Sequence, residues 1–389
     1  MLRKVAYAGS QSASFVQATK DLEVLAEVKL TRERVQRWTK RVGRERVAEV
    51  QAQAESYQAL PLPERRWSPT DQVPQVACVM IDGGRIQIRD RHLAPSDKAS
   101  AGCWRESLVG CCLSMVSEEH AQDPSPTIPK TFVDPARMSQ LSREIKGFSG
   151  EVEAADQASV ENPDDRDGRP EVRVRSVVAT RAGQEALGQR LVAEAHGRGF
   201  HAARRKAFVA DGAATGWSVH KKYFSHYTPI LDFTHALCYV YAAALAGRTG
   251  QAAWRDYVRW AQWLWEGAVD QLIAAVATRS DGLGPPADGD DTSPAAIVAK
   301  ALGYFKNQRS RMKYHQYRRL GLPITSSHIE STIKQINRRV KGTEKFWDQG
   351  AEPLLTLAAD YLSETSRLDQ FWKNRRKRLK SMRCYQNAA

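Results

Sequence analysis

The sequence predicts an α/β fold: a mixed sheet flanked by helices, preceded by a helical segment and interrupted by a large all-α stretch. Three observations predict it. Residues 1–60 are rich in Ala, Gln, Glu, Leu and Val, and no proline occurs before Pro61. Short Val- and Ile-rich runs, VACVMID (76–82) and KAFVAD (206–211), have the length and bounding residues of buried strands. Beyond Asp232, apolar residues recur at helical spacing through ALCYVYAAALAG and WRDYVRWAQWLWEGAVDQLIAAVAT.

Composition narrows the function classes. The chain has 389 residues, room for two or three domains, and is 42% hydrophobic, which excludes wholesale disorder. Its 58 Lys and Arg against 44 Asp and Glu leave a net charge of +14. Such a balance points to a polyanion, nucleic acid or less often an anionic membrane surface. No apolar run reaches the ~18 residues of a spanning helix. The start, MLRKVAYAGSQSASF, lacks the apolar core of a signal peptide. Six cysteines form no CxxC pair, which argues against both a disulfide scaffold and a Cys-based zinc site. A reduced, cytoplasmic protein that handles DNA or RNA is expected, with no membrane partner.

The elements follow in order. Within 1–60, DLEVLAEVKLTRERVQRWTKRVG (21–43) places Leu22, Leu25 and Ala26 on one helical face before a turn at Val28-Lys29-Leu30. Thr31 caps a second helix that Gly43 ends. Val35 and Trp38 face inward, and Arg32, Arg34, Arg37, Lys40 and Arg41 face outward. This suits a helix-turn-helix reading DNA through Arg34 and Arg37, although an ordinary helical hairpin has the same pattern. Pro61, Pro63, Pro69 and Pro74 make 61–75 a linker.

Residues 76–231 hold the sheet. VACVMID, a Gly83-Gly84 turn and RIQIRD (85–90) predict a β-hairpin. WRESLVGCCLSMVS (104–117) supplies a third strand, with Cys111 and Cys112 in the core. Residues 151–171 read as an acidic loop, Ala182 to His196 as a helix and KAFVAD as a strand ending at Asp211. Residues 232–322 form a helical insertion with a mobile Gly/Pro/Asp loop at 281–294. Its four tryptophans (254, 260, 263, 265) suit core packing, or stacking on a flipped base. In 323–360, SSHIESTIKQINRRVKG (326–342) is a helix capped by Ser326 or Ser327 and stopped by Gly342. Residues 361–389 form a C-terminal helix and basic tail. Seven Lys/Arg between 373 and 383, among them Arg375, Arg376 and Lys377, predict poor order without DNA.

Three acids stand out by position. Asp82 and Asp211 each end an apolar strand, and Glu330 lies in the first turn of a basic helix. From Lys306 to Lys345 there are eleven Lys/Arg and two acids. Two strand-end carboxylates sharing a crevice stay ionised together only if cations neutralise them. A third from a nearby helix completes an oxygen-ligand set for Mg²⁺ or Mn²⁺. Asp-Gly after a strand is also a common turn, and Glu330 can pair with Lys334 one turn on.

Several segments carry a resemblance: IDGGR (81–85), VADGA followed by Trp217, LDFTHAL (231–237) and YHQYRRLGLPITSSHIESTIKQINRRVKGTEKFW (314–347). They resemble bacterial insertion-sequence transposases of the DDE class, the ISKra type related to the Mutator-like group. The resemblance implies an RNase H-like core with Asp82, Asp211 and Glu330 as catalytic residues and ligands of two Mg²⁺ or Mn²⁺ ions. Asp82 is then the bridging ligand. The gaps of 129 and 119 residues place the helical insertion before the Glu helix. Asp232 and His235 match an Asp-x-x-His motif and become accessory residues. The alternative is a helix cap by Asp232 with His235 packed on Tyr239. Lys334, Arg338, Arg339 and Lys341 would hold phosphates. The implied partners are double-stranded DNA, both transposon ends and target, and further copies of the chain in a dimer or larger assembly. The implied location is the bacterial nucleoid. Rival readings are a catalytically silent, domesticated transposase acting as a regulator, and a structure-specific nuclease on the same core.

Overall fold

A six-stranded mixed sheet forms the centre of the computed structural model, which describes residues 1–89, 103–148, 150, 169–342, 345–348 and 350–386. The strands are β1 (Val76–Ile88), β2 (Trp104–Val116), β3 (Glu171–Thr180), β4 (Arg205–Ala210), β5 (Thr228–Leu231) and the short β6 (Phe346–Trp347). Their order is β3-β2-β1-β4-β5. The β1–β2 and β2–β3 pairs are antiparallel, whereas β4 and β6 run parallel to β1 and β5 parallel to β4.

Helices cover both faces. In chain order they are α1 (Leu2–Gln11), α2 (Phe15–Ala26), α3 (Arg32–Ala59), α4 (Pro135–Lys146), α5 (Gly183–Gly197), α6 (Ala214–Tyr223), α7 (Phe233–Leu245), α8 (Gln251–Glu266), α9 (Val269–Leu283), α10 (Pro294–Gln308), α11 (Tyr314–Arg319), α12 (Ser327–Val340), α13 (Ala351–Leu362) and α14 (Arg367–Gln386). Alternation along β1 divides the core. Val76, Cys78, Met80, Ile86 and Ile88 pack toward α7, α8, α10 and α12. Ala77, Val79 and Ile81 face the other way, toward Leu187, Leu191 and Val219 of α5 and α6. Between β5 and α12 the described regular elements are all helical, as expected for 232–322. Trp260 and Trp265 are buried there, with Trp254 and Trp263 against the same core, so the tryptophans serve packing. Cys111 and Cys112 are buried in β2. Among the described residues no helix is long and apolar enough to cross a membrane.

Five expectations are corrected. The hairpin at Gly83-Gly84 does not form. Neither glycine has positive φ, both pair with β2 opposite Leu108 and Ser107, and β1 runs straight through. Asp82 therefore sits inside a strand and not at its end. Gly43 does not end a helix but lies buried within the 28-residue α3. A Cβ there would fall 2.6 Å from Pro353 of α13, so this glycine permits close helix packing. The helix-turn-helix reading loses its short second helix. Thr31 does cap α3, and Arg34 and Arg37 are exposed, but α3 continues onto α5 and α13, and Leu25 is 83% exposed where an inward face was expected. Lys40 turns from solvent to Asp348 at 3.2 Å. The basic tail is helical to Gln386 because its start is anchored: Leu368, Phe371 and Trp372 pack with Ala6, Val42 and Leu357. Strands β3 and β5 were not foreseen. Residues 90 and 151–168 of the expected hairpin and acidic loop lie outside the described residues.

Candidate metal centre

The site is built where the edge of β1 loses one neighbour and has not yet gained the next. Strand β4 pairs with β1 only as far as Ile81, and β6 takes over at Gln87. Asp82 projects at the start of this opening, and its Oδ1 accepts the Gly83 amide at 2.6 Å. Asp211 follows the last residue of β4, and its Oδ1 caps the Ala213 amide at 2.9 Å. Burial, then the charge of Asp211, push the Asp82 carboxyl up to about 6; the Gly83 bond and His235 act the other way, and Glu330 adds to the rise. Asp82, Asp211, His235 and Glu330 therefore share one electrostatic environment, although they come from β1, the β4 exit, α7 and α12.

Asp232 braces the centre. Fully buried at the start of α7, its carboxylate accepts four hydrogen bonds: from the Thr234 amide (3.3 Å), the His235 amide (3.1 Å), His235 Nδ1 (2.5 Å) and the Ser326 amide (2.9 Å). One residue thus caps α7, orients the imidazole and ties down the start of α12. Burial disfavours the His235 cation, but the Asp232 bond and the charges of Asp232, Asp211 and Asp82 outweigh it and raise its pKa. Of the expected alternative, the helix cap by Asp232 is present, whereas Tyr239 stacks on Tyr304 at 3.7 Å. Glu330 does not pair with Lys334 either. It accepts from Ser326 Oγ at 3.0 Å, and Lys334 reaches Glu144 at 3.6 Å. Asp232, His235 and Glu330 offer ligand atoms within 4.8 Å of one another and can hold a metal ion.

The donor set fits a hard cation. Carboxylate oxygens dominate it, and burial and the neighbouring Asp211 raise the Asp82 pKa. Asp232 also braces this group through its bonds with His235 and Ser326. Compared with known proteins, the chain matches no family model and no curated sequence. The chemistry of the centre is therefore argued from its geometry.

The basic residues divide. Lys334, Arg338 and Lys341 are exposed along α12, beside a cleft of about 400 Å³ that Glu330 also lines. Arg339 is buried and corrects its assignment: its guanidinium donates to the Gly9 carbonyl at 2.9 and 3.0 Å, over the ring of Phe15. No phosphate reaches it. Arg375 is likewise engaged, with Glu45 at 2.5 Å, whereas Arg376 and Lys377 are exposed.

Sequence reasoning missed the second layer. Tyr304 Oη donates to the Asp211 carbonyl at 2.9 Å and Gln308 Nε2 to that of Gly212 at 3.2 Å, so α10 of the insertion clamps the Asp211 turn. Lys146 lies 3.4 Å over the Tyr239 ring, its pKa pushed down to about 8 by burial. Only Ser326 carried a signal, as an expected cap. A larger cavity, about 800 Å³, lies by α3 and α5. Its arginines are already engaged, Arg46 with Asp360, Arg190 with Glu352 and Arg367 with Glu194, so it lacks the free reactive groups of the β1 opening.

Proposed function

We propose that the protein is a DDE-class transposase with an RNase H-like core, cutting DNA at transposon ends and joining it to target DNA. The observation that supports this reading is that Asp82 feels the charges of Asp211, His235 and Glu330, while Glu330 lies with Asp232 and His235 in a group that can hold a metal ion. The strand order β3-β2-β1-β4-β5, with β1 to β3 antiparallel and the rest parallel, supports the RNase H-like comparison.

Asp82, Asp211 and Glu330 would hold Mg²⁺ or Mn²⁺ here. Such ions, when bound, activate a water or hydroxyl and stabilise the leaving oxygen at phosphorus. Asp211 holds one side of the centre from a turn fixed by Tyr304 and Gln308. Glu330 holds the other, its carboxylate set by Ser326. His235 keeps its Nδ1 on Asp232, which leaves Nε2 as the ring atom for a phosphate oxygen. Lys334, Arg338 and Lys341 extend a cationic track along α12 for the DNA backbone.

The test is to incubate the chain with the DNA flanking its own coding sequence and Mg²⁺ or Mn²⁺. Cuts leaving 3′-hydroxyls and joined products are expected. Asp82→Asn, Asp211→Asn and Glu330→Gln should each bind this DNA and fail to cut it. Cuts without joining would point to a nuclease, and binding without cuts to a regulator. Cleavage that survives Asp82→Asn would overturn the assignment of the centre.

A further inference from the structure

Two glycines follow Asp82 in the opening of β1, and the fold does not ask for either. Neither has positive φ. A Cβ on Gly84 would meet, among the described residues, only Ser107 Oγ at 3.4 Å and its carbonyl oxygen at 3.9 Å. A Cβ on Gly83 would meet only Leu108 at 3.6 Å and Glu106 at 3.8 Å. These are ordinary contacts. Elsewhere in the same sheet the contrast is sharp: at Gly110 the added carbon would fall 2.5 Å from Leu191. Glycine in a strand interior weakens the strand and marks a bulge, a tight bend or a place where a ligand or another backbone comes close; β1 keeps an unbroken register with β2 here, with no bulge.

The position says what approaches. By strand alternation Gly84 shares the face of Asp82, toward α12, and every other residue of β1 on that face carries a side chain. On the edge away from β2, no described strand pairs with β1 between Asp82 and Ile86. A bare face and a carboxylate therefore meet at one place, on the side of β1 that faces α12.

We infer that Gly84 is the bed of the scissile strand, a residue over which one sugar–phosphate chain passes in van der Waals contact with β1 to present its phosphodiester to Asp82. This rests on the reading of the site as a nucleic-acid phosphoryl-transfer centre. Gly83, facing the other side, is not part of the bed.

The experiment compares Gly84→Ala, Gly84→Val and Gly83→Ala with the native chain. It measures thermal midpoint, Mn²⁺ binding and cleavage of the flanking DNA. All three variants should melt no lower than the native chain and bind Mn²⁺ as it does. Cleavage by Gly84→Val should fall about 10–100-fold, since small displacements of a reacting group cost that much. Gly84→Ala should fall less, and Gly83→Ala should stay within about twofold, as for a substitution with room around it. Should the valine variant fail to fold, the alanine variant decides: unchanged cleavage overturns the inference. A folded Gly84→Val that cuts like the native chain also overturns it, while leaving the functional reading intact. A native chain that neither binds nor cuts any DNA removes both.

Discussion

The Asp82 carboxyl stands where its neutral form is favoured. Its folded pKa of about 6 lies above the ordinary 3.8 because of burial and the neighbouring Asp211. Between those two values the folded chain holds a proton that the unfolded chain has released, so stability falls as pH rises through that window. At pH 7 the whole penalty is present in the metal-free protein. Asn has no charge to bury. The metal-free Asp82→Asn variant should therefore be more stable than the native chain at pH 7, on the order of 1–3 kcal/mol. The difference should vanish below about pH 4. Mn²⁺ should raise the melting temperature of the native chain and leave that of the variant nearly fixed. Equal stability of the two metal-free proteins at pH 7 would separate Asp82 from Asp211. Arg339 shows the limit of reading single residues: RRVKG looks like one cationic run, yet the aromatic rings that cover Arg339 come from Phe15 and Trp347, at opposite ends of the chain. No local pattern signals that.

At the scale of elements, the end of α5 and the approach to β5 are joined by imidazoles. His201 Nδ1 lies 3.2 Å from His226 Nε2 and 3.4 Å from Tyr227 Oη, and the His196 ring packs nearby at a tilt against Tyr57 of α3. Burial first, then His226, His196 and Lys206, push His201 down to about 4. A histidine depressed in the fold contributes stability above its unfolded pKa of about 6.5 and loses it as pH falls toward the folded value. Between pH 7 and pH 5 the native chain should lose about 1–2 kcal/mol more than His201→Gln in urea titrations. Parallel declines would show that this cluster is too wet to matter. Elements of this kind were partly legible. Apolar runs marked β1, β2 and β4, and helical spacing marked α7 to α12. What escaped was context. RSVVAT is the buried end of β3, but its polar first half reads as loop. Strand β5 has four residues, too few for a period. Gly83-Gly84 has the chemistry of a turn and the neighbours of a strand. Asp211 and Glu330 were placed by a strand end and a helix start, whereas Asp82 was singled out through a turn that does not form. The bracing of the site by Tyr304, Gln308 and Asp232 was not legible, since it depends on how the insertion folds back.

Across the whole molecule, the densest basic run lies in α14, where Lys373, Arg376, Lys377 and Arg378 are exposed. Truncation after Trp372 removes Lys373, Arg376, Lys377 and Arg378 while keeping the buried Phe371 and Trp372. Binding to transposon-end and random DNA should weaken alike. The slope of log affinity against log salt should shrink by about 2–4, for two to four phosphates released from contact. Selective loss of end recognition would instead make the tail a sequence reader.

The pairing of the first helices with the last has a consequence for synthesis. Arg46 is buried against Asp360, 314 residues later, and Gly43 rests on Pro353. The first sixty residues leave the ribosome long before the surface that covers them exists. At roughly 5–20 residues per second they wait on the order of 15–60 s. During that time Val42 and the Arg46 side chain lack their native cover, and Glu330 has not been made for most of it. A nascent chain therefore gains Glu330 and the cover of its N-terminal layer almost together, only once Asp360 has been made.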